Sequence, residues 1–267
     1  MLKITSRDNQ KLKFARKVRD GFVKDAIFVE GLRLAEEVLR SELNVSDVFL
    51  TKNFGLNKRG RAFLQKTENH KIAVIPIKIF NSISDTKTSQ GIVLIAQKPA
   101  TGREIVEASL PKSKYTPLLV LLHQINNPAN LGAVLRTAEA ADVTAVITTK
   151  NSADAFSPKS LRGAMGASLR LPIWENADFS EILNWAKEKK IVSVGSDINA
   201  TKSYTQIDWK AARMVVFGSE AHGLNLEETR KTKENMVIPM SNNVESLNIA
   251  VACGICLFEA KRQRDIQ

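Results

Sequence analysis

The chain has 267 residues, 43% hydrophobic and 25% charged, room for one large domain or two ordinary ones around a real apolar core. No apolar run approaches the roughly 18 residues that cross a bilayer, and no apolar signal core follows the charges of MLKITSRDNQKLKFARK, which predicts a cytoplasmic protein. Two cysteines three residues apart and three scattered histidines (His70, His123, His222) exclude a disulfide framework and argue against a bound metal.

The net charge of +11 is unevenly spread. Residues 1 to 98 carry 19 Lys+Arg against 10 Asp+Glu, a net +9, whereas 99 to 267 carry 20 against 18, a net +2. Lys3, Arg7, Lys11, Lys13, Arg16, Lys17, Arg19 and Lys24 crowd the opening segment. That is the footprint of a surface that meets a polyphosphate, with a merely solvated helix face as the alternative.

From 27 to 96, short β-type runs alternate with helical patterns: AIFVEG, LRLAEEVLRSEL, VSDVFLTK, a polar helix over 58 to 67, KIAVIPI and GIVLIAQ. The pattern predicts a small α/β domain over 1–98, followed by a linker at 99–116 around KPATGRE. A second domain, 117–267, offers the strand runs LLVLL, VTAVIT, IVSVGS, MVVFGS and MVIPM with helical patterns between most of them. Near-continuous apolar strands of this kind predict a mostly parallel sheet covered on both faces.

Ligands of parallel α/β domains bind beyond the carboxyl ends of the strands, so three loops attract attention. In NNPANLGAVLRTAEA, Pro128 and Asn130 can start a helix, and Arg136 lies about one and two-thirds turns further on, nearly opposite in azimuth; an Asn cap and an exposed arginine are the plainer reading. MVVFGSEAHGL sets Gly218 and Gly223 around Glu220 and His222 without the Gly-Lys-Ser/Thr of a phosphate loop, and no GxGxxG follows a first strand. His222 could act as a general base, although a lone turn histidine is more often a surface residue. The third loop, IPMSNNVESLN, bends through two asparagines and offers Ser246 as a helix cap. Cys253 and Cys256 have CxxC spacing but fall two turns inside the following helix among apolar neighbours, where cysteine behaves as a small hydrophobe.

NPANLGAVLRTAEA (127–140), FGSEAHGL (217–224) and IPMSNNVESLNIAVACGICLFEAKRQR (238–264), in this order and with SPKSLRGAMGASLRLPIW between them, resemble the SpoU/TrmH family of RNA ribose 2'-O-methyltransferases in the SPOUT superfamily. SRDNQKLKFARKVRD and FVEGLRLAEEVL resemble the ribosomal-protein-like substrate-binding domain of the family's ribosomal-RNA members. The resemblance implies a C-terminal parallel-sheet domain tied in a deep trefoil knot, a homodimer formed through that domain, and methyl transfer from S-adenosylmethionine to a ribose 2'-hydroxyl, most simply of 23S-type ribosomal RNA. It assigns the cofactor to Gly218, Ile238, Met240, Leu247, Asn248 and Thr149, the chemistry to Asn130, Arg136, Glu220, Ser246 and Asn248, and the RNA to Arg7, Lys11, Lys13, Arg16, Lys17 and Arg136. A permanently protonated arginine makes a poor base, so Arg136 is expected to clamp a substrate phosphate. Transfer-RNA methylation, or a non-catalytic ribosome-assembly factor of the same fold, are the alternatives.

Overall fold

The computed structural model describes residues 2–56, 58–67, 70–242 and 244–266, so Asn243 of the expected polar bend lies outside the described residues. The chain divides into two compact units, 1–99 with 156–169 and 100–155 with 170–267. Strands and helices are numbered along the whole chain.

The first unit is a five-stranded mixed sheet of β1 (Leu2–Lys3), β2 (Ala26–Glu30), β3 (Val45–Thr51), β4 (Ile72–Ile75) and β5 (Ile92–Gln97), in the order β1-β4-β3-β5-β2. β4 runs parallel to both its neighbours, and β5 runs antiparallel to β3 and β2. Its helices are α1 (Gln10–Arg19), α2 (Leu32–Arg40), α3 (Lys58–Lys66) and the single turn α4 (Ile77–Phe80). α1 begins where the Asn9 side chain accepts the Lys11 N–H at 2.9 Å, and it sets Leu12, Ala15 and Val18, spaced by three, into a core with Phe28, Phe49, Phe80 and Val93.

The second unit is a six-stranded, wholly parallel sheet. Its strands are β6 (Leu118–Leu122), β7 (Ala145–Thr149), β8 (Ile173–Ala177), β9 (Val192–Ser196), β10 (Arg213–Phe217) and β11 (Glu234–Met236), in the order β11-β9-β10-β6-β7-β8. Every residue of β6, β7 and β10 is buried, as strands covered on both faces require. α5 (Arg103–Ser109), α6 (Pro128–Ala140), α8 (Phe179–Glu188), α9 (Leu226–Lys231) and α10 (Ile249–Asp265) complete this unit, while α7 (Pro158–Ala164) belongs to the first.

Several local expectations differ from the structure. The stretch 99–116, expected as linker, carries α5, whose Val106 enters the core of the second unit. The segment 156–169, expected within the second domain, groups with the first unit, where Arg162 pairs with Asp85 at 2.7 Å and the Lys98 ammonium sits 4.7 Å above the Phe156 ring. The MVIPM run is strand only as far as Met236, which leaves Ile238 to Met240 in a loop. β8 lacked a sequence signal because its five residues, IWENA, include two polar ones.

α10 is held by its far end as well as its packing. The guanidinium of Arg264, buried to 6% exposure, donates to the carbonyls of Trp209 (2.7 Å), Thr116 (2.9 Å) and Ala211 (3.3 Å), chain that leads into β6 and β10. Burial pushes its pKa down from the usual arginine value, against the fields of Asp142 and Asp208. Arg264→Met keeps the apolar stem and leaves the three carbonyls without this donor. It is expected to cost about 1–3 kcal/mol, read as a lower urea midpoint for the unfolding of the second unit.

Candidate functional site

The sheet order reverses beside β6: the chain runs outward through β7 and β8, then returns to the other side for β9 and β10. A cavity of about 570 Å3 opens in this unit, lined from the carboxyl ends of β9 (Ser196) and β10 (Phe217), the loops that follow them, the loop after β11 and the first turn of α10. This is the place where open parallel sheets hold ligands, and the volume suits a small molecule.

Glu220 organises its rim. Its carboxylate accepts the N–H of Asn126 (3.0 Å), the N–H of Asn127 (3.3 Å) and the Nδ2 of Asn130 (2.9 Å). A carboxylate therefore sits at the start of α6, where free backbone donors and the helix dipole favour negative charge. The Oδ1 of Asn130 accepts the Nδ2 of Asn248 at 3.1 Å, and the Oδ1 of Asn248 caps α10 through the Ala250 N–H at 2.9 Å. Three loops far apart in sequence are thus joined by one line of hydrogen bonds.

The β10 loop is shaped by close backbone approach. Ser219 and Gly223 exchange backbone hydrogen bonds at 3.1 and 2.8 Å, and a Cβ on Gly218 would fall 2.0 Å from the Gly223 carbonyl carbon. Gly223 closes the turn at φ 64°, a left-handed conformation that favours glycine. Beyond it, Asn225 and Glu228 form a reciprocal capping box at the start of α9. The buried His123 holds Glu228 at 3.0 Å through Nε2 and Thr149 at 3.0 Å through Nδ1.

Gly218, Ile238, Met240, Leu247, Asn248, Asn130, Glu220 and Ser246 all line the cavity. Thr149 does not: its hydroxyl is buried against His123 and also accepts the Gln124 N–H at 3.0 Å, which makes it a support of the loop ends. Ser246 is not the helix cap; Asn248 is, and α10 begins at Ile249. Arg136 is exposed on α6 and lies outside the cavity lining. At 100° per residue, six residues turn it about 120° away from Asn130 rather than nearly opposite.

In the first unit, Lys11 is paired with Asp47, and the Arg16 guanidinium donates to the Arg7 carbonyl at 2.9 Å and the Ser82 hydroxyl at 3.4 Å. Lys13 lies 3.8 Å from Asp8, while Arg7 and Lys17 are exposed. The expected RNA-facing set is therefore divided between internal braces and outward cations.

Asp197, Ile198 and Asn199, after β9, also line the cavity and were missed by the sequence reading, although VGSDINA follows an apolar strand run at its carboxyl end. Cys253 and Cys256 are buried, and burial raises both thiol pKa values, that of Cys256 to about 12, so neither is a ready thiolate. Among the described residues no group of three or more His, Cys, Asp or Glu could hold a metal ion.

A cavity of small-molecule size at the switch of a parallel sheet thus lies in the same chain as a strongly basic mixed α/β unit. The SpoU rRNA Methylase family model matches residues 117–258, and the MRM3-like substrate binding domain matches residues 9–94. The chain belongs to the SpoU rRNA methylase family. It is 36% identical over 200 residues to the 23S rRNA (guanosine-2'-O-)-methyltransferase RlmB of Coxiella burnetii, covering 73% of this chain and 78% of that one. It is 28% identical to the mitochondrial rRNA methyltransferase 3A of Danio rerio, covering 89% and 64%. An RNA 2'-O ribose methyltransferase crystal structure superposes over 99% of this chain and 100% of its own, at a TM-score of 0.81 and 25% identity. The AviRb methyltransferase of Streptomyces viridochromogenes, solved with AdoMet, shares the fold at a TM-score of 0.85 and 22% identity, over 97% and 99% of the chains.

The Glu220 hub makes its own prediction. Glu220→Ala is expected to speed amide hydrogen exchange at Asn126 and Asn127 by roughly tenfold or more, the equivalent of losing about 1–3 kcal/mol of local hydrogen bonding, while amides in β6 and β10 stay protected.

Proposed function

We propose that the chain transfers the methyl group of S-adenosylmethionine to the 2'-hydroxyl of a ribose in ribosomal RNA of the 23S type, a guanosine as in its bacterial relatives, and that it works in the cytoplasm. The observation that carries this reading is the convergence of Asn130, Glu220 and Asn248 in one hydrogen-bonded line on the rim of the cavity. A transfer-RNA substrate is disfavoured by the substrate-binding domain match at 9–94.

The lining suits this cofactor. Ile238, Met240, Leu247 and Leu224 offer apolar walls to an adenine, and the charged side chains are the carboxylates of Asp197, Glu220 and Glu245, with neither lysine nor arginine. A sulfonium cation is accommodated there and a nucleotide phosphate is not. Gly218, Ile238, Met240 and Leu247 are the residues we assign to holding it; when bound, it supplies an electrophilic methyl group.

The chain's part is positioning. In-line displacement requires the ribose hydroxyl to be fixed within about 3–3.5 Å of the methyl carbon. Asn130, Ser246 and Asn248 present amide and hydroxyl groups to it, and Glu220 fixes the Asn130 amide so that its Nδ2 is already engaged. The planar fork of Arg136 is suited to clamping a backbone phosphate of the substrate.

Val251 and Phe258, one heptad apart on α10, are 51% and 50% exposed, with half-buried Ile255 between them. We propose this stripe as the homodimer contact. α6 packs against α10 within the same copy.

Ribose methylation of 23S-type RNA incubated with the purified chain and S-adenosylmethionine, mapped by resistance to alkaline cleavage, tests the activity: one new methylated ribose is expected, and its absence on rRNA with its presence on tRNA would transfer the assignment. In calorimetry, Gly218→Ala is expected to weaken S-adenosylmethionine at least tenfold with circular dichroism unchanged, because the added methyl meets backbone. Phe258→Lys is expected to halve the mass seen in sedimentation; an unchanged mass would remove α10 from the interface.

A further inference from the structure

Resting on the reading of the first unit as the RNA-holding part, we start from the C-terminal end of α1. Helix α1 stops in a two-bond turn: the Gly21 N–H donates to the Val18 carbonyl at 3.1 Å and the Phe22 N–H to the Lys17 carbonyl at 2.9 Å, with Gly21 at φ 79°. This is a Schellman closure, in which the residue after the glycine ordinarily folds an apolar side chain back onto the last turns. Here the residues it would cover are Lys17 and Arg16, and Phe22 is left 77% exposed. A rigid turn therefore displays an aromatic ring with no apolar bed beneath it.

The ring is not isolated. Phe14 is 38% exposed and lies three residues before Lys17, on a neighbouring azimuth, with Lys13 one turn before Lys17. Lys24 is exposed two residues after Phe22. Among the described residues the exposed large aromatics are Phe14, Phe22 and Phe258, and two of the three occupy the most basic stretch of the chain. Residues 3–24 hold eight cations against Asp8 and Asp20, a charge that opposes pairing with a second copy of this surface and favours a polyanion.

Paired RNA hides its base faces; unpaired RNA exposes them, and aromatic side chains flanked by cations are how such bases are held. We propose that Phe22 and Phe14, with Lys17 and Lys13, form a stacking platform for unpaired nucleotides of the RNA substrate. The lysines engage the backbone, and the rings take the bases without reading their sequence.

The test uses the full chain and two labelled probes, a 12-nucleotide oligoadenylate and a blunt RNA duplex, followed by fluorescence anisotropy across a salt series. Phe22→Ala is expected to weaken the oligoadenylate by about 5- to 100-fold, with the salt slope and duplex binding unchanged. Phe22→Trp is expected to restore binding and to show indole quenching on titration, and Phe22→Leu to remain weak. Lys17→Gln is expected to reduce the salt slope by about one. Wild-type binding of oligoadenylate by Phe22→Ala would overturn the proposal, as would full rescue by Phe22→Leu. A Phe22→Ala change in sedimentation with RNA binding intact would also overturn it, by assigning the turn to protein contacts. If the wild-type chain binds neither probe in a salt-dependent way, the RNA reading of this unit itself fails, and stacking with it.

Discussion

The carboxylate of Glu220 fixes loop ends that the pairing of β6 with β10 and the packing of α6 on α10 have already brought together. It reaches from the loop after β10 to the backbone amides of Asn126 and Asn127, just before α6, and to the side-chain amide of Asn130, which in turn holds Asn248 at the start of α10. Of the residues so linked, Glu220, Asn130 and Asn248 line the cavity. Asn130 is consequently held by both ends of its amide, so the orientation in which it meets a ligand is set before the ligand arrives, and preorganisation of this kind is what makes polar groups effective in catalysis. The same hub explains why the loop after β10 must be so tight. With Gly218 lying against the backbone of Gly223, the turn is compact enough for Glu220 to project back towards α6.

Behind this rim stands a second, buried layer. His123 spans from Thr149 at the end of β7 to Glu228 in the first turn of α9. Glu228 also accepts the Asn225 backbone N–H at 2.9 Å, so α9 is fixed at its origin from two directions. None of these groups touches the cavity, yet the position of Leu224, which does, depends on them.

The fold was largely readable where apolar runs were continuous: LLVLL and MVVF became the central strands β6 and β10 because burial on both faces leaves no room for polar alternation. It was not readable where a strand carries polar residues, as in β8, or where an apolar run serves a loop, as in IPM. Site residues on strand-end loops could be named from motif order, but not their partners, because Glu220 and Asn130 are 90 residues apart and no periodicity connects them. Thr149 illustrates the limit: at a strand's carboxyl end it looks like a ligand contact, and hydrogen bonds with His123 and the Gln124 N–H turn its hydroxyl inward. In the first unit, the cations were legible as charge but not as partners. Which lysine faces solvent and which meets Asp47 depends on a strand 36 residues further on.

The division of the chain into units that are discontinuous in sequence bears on how the molecule is made. β6 pairs with β7 soon after both are synthesised, but its other neighbour, β10, arrives only about 90 residues later. At the usual pace of translation that edge waits roughly 5 to 20 seconds. The first unit waits too, since 156–169 is made after part of the second unit has emerged. Neither unit can be finished in the order of the chain, and nascent molecules pass through a period in which apolar strand edges such as LLVLL have no partner. Sequences of that kind invite aggregation before they are paired, and the length of that exposure is set mainly by the placing of β10 after β7, β8 and β9, the excursion through 156–169 lengthening it only slightly.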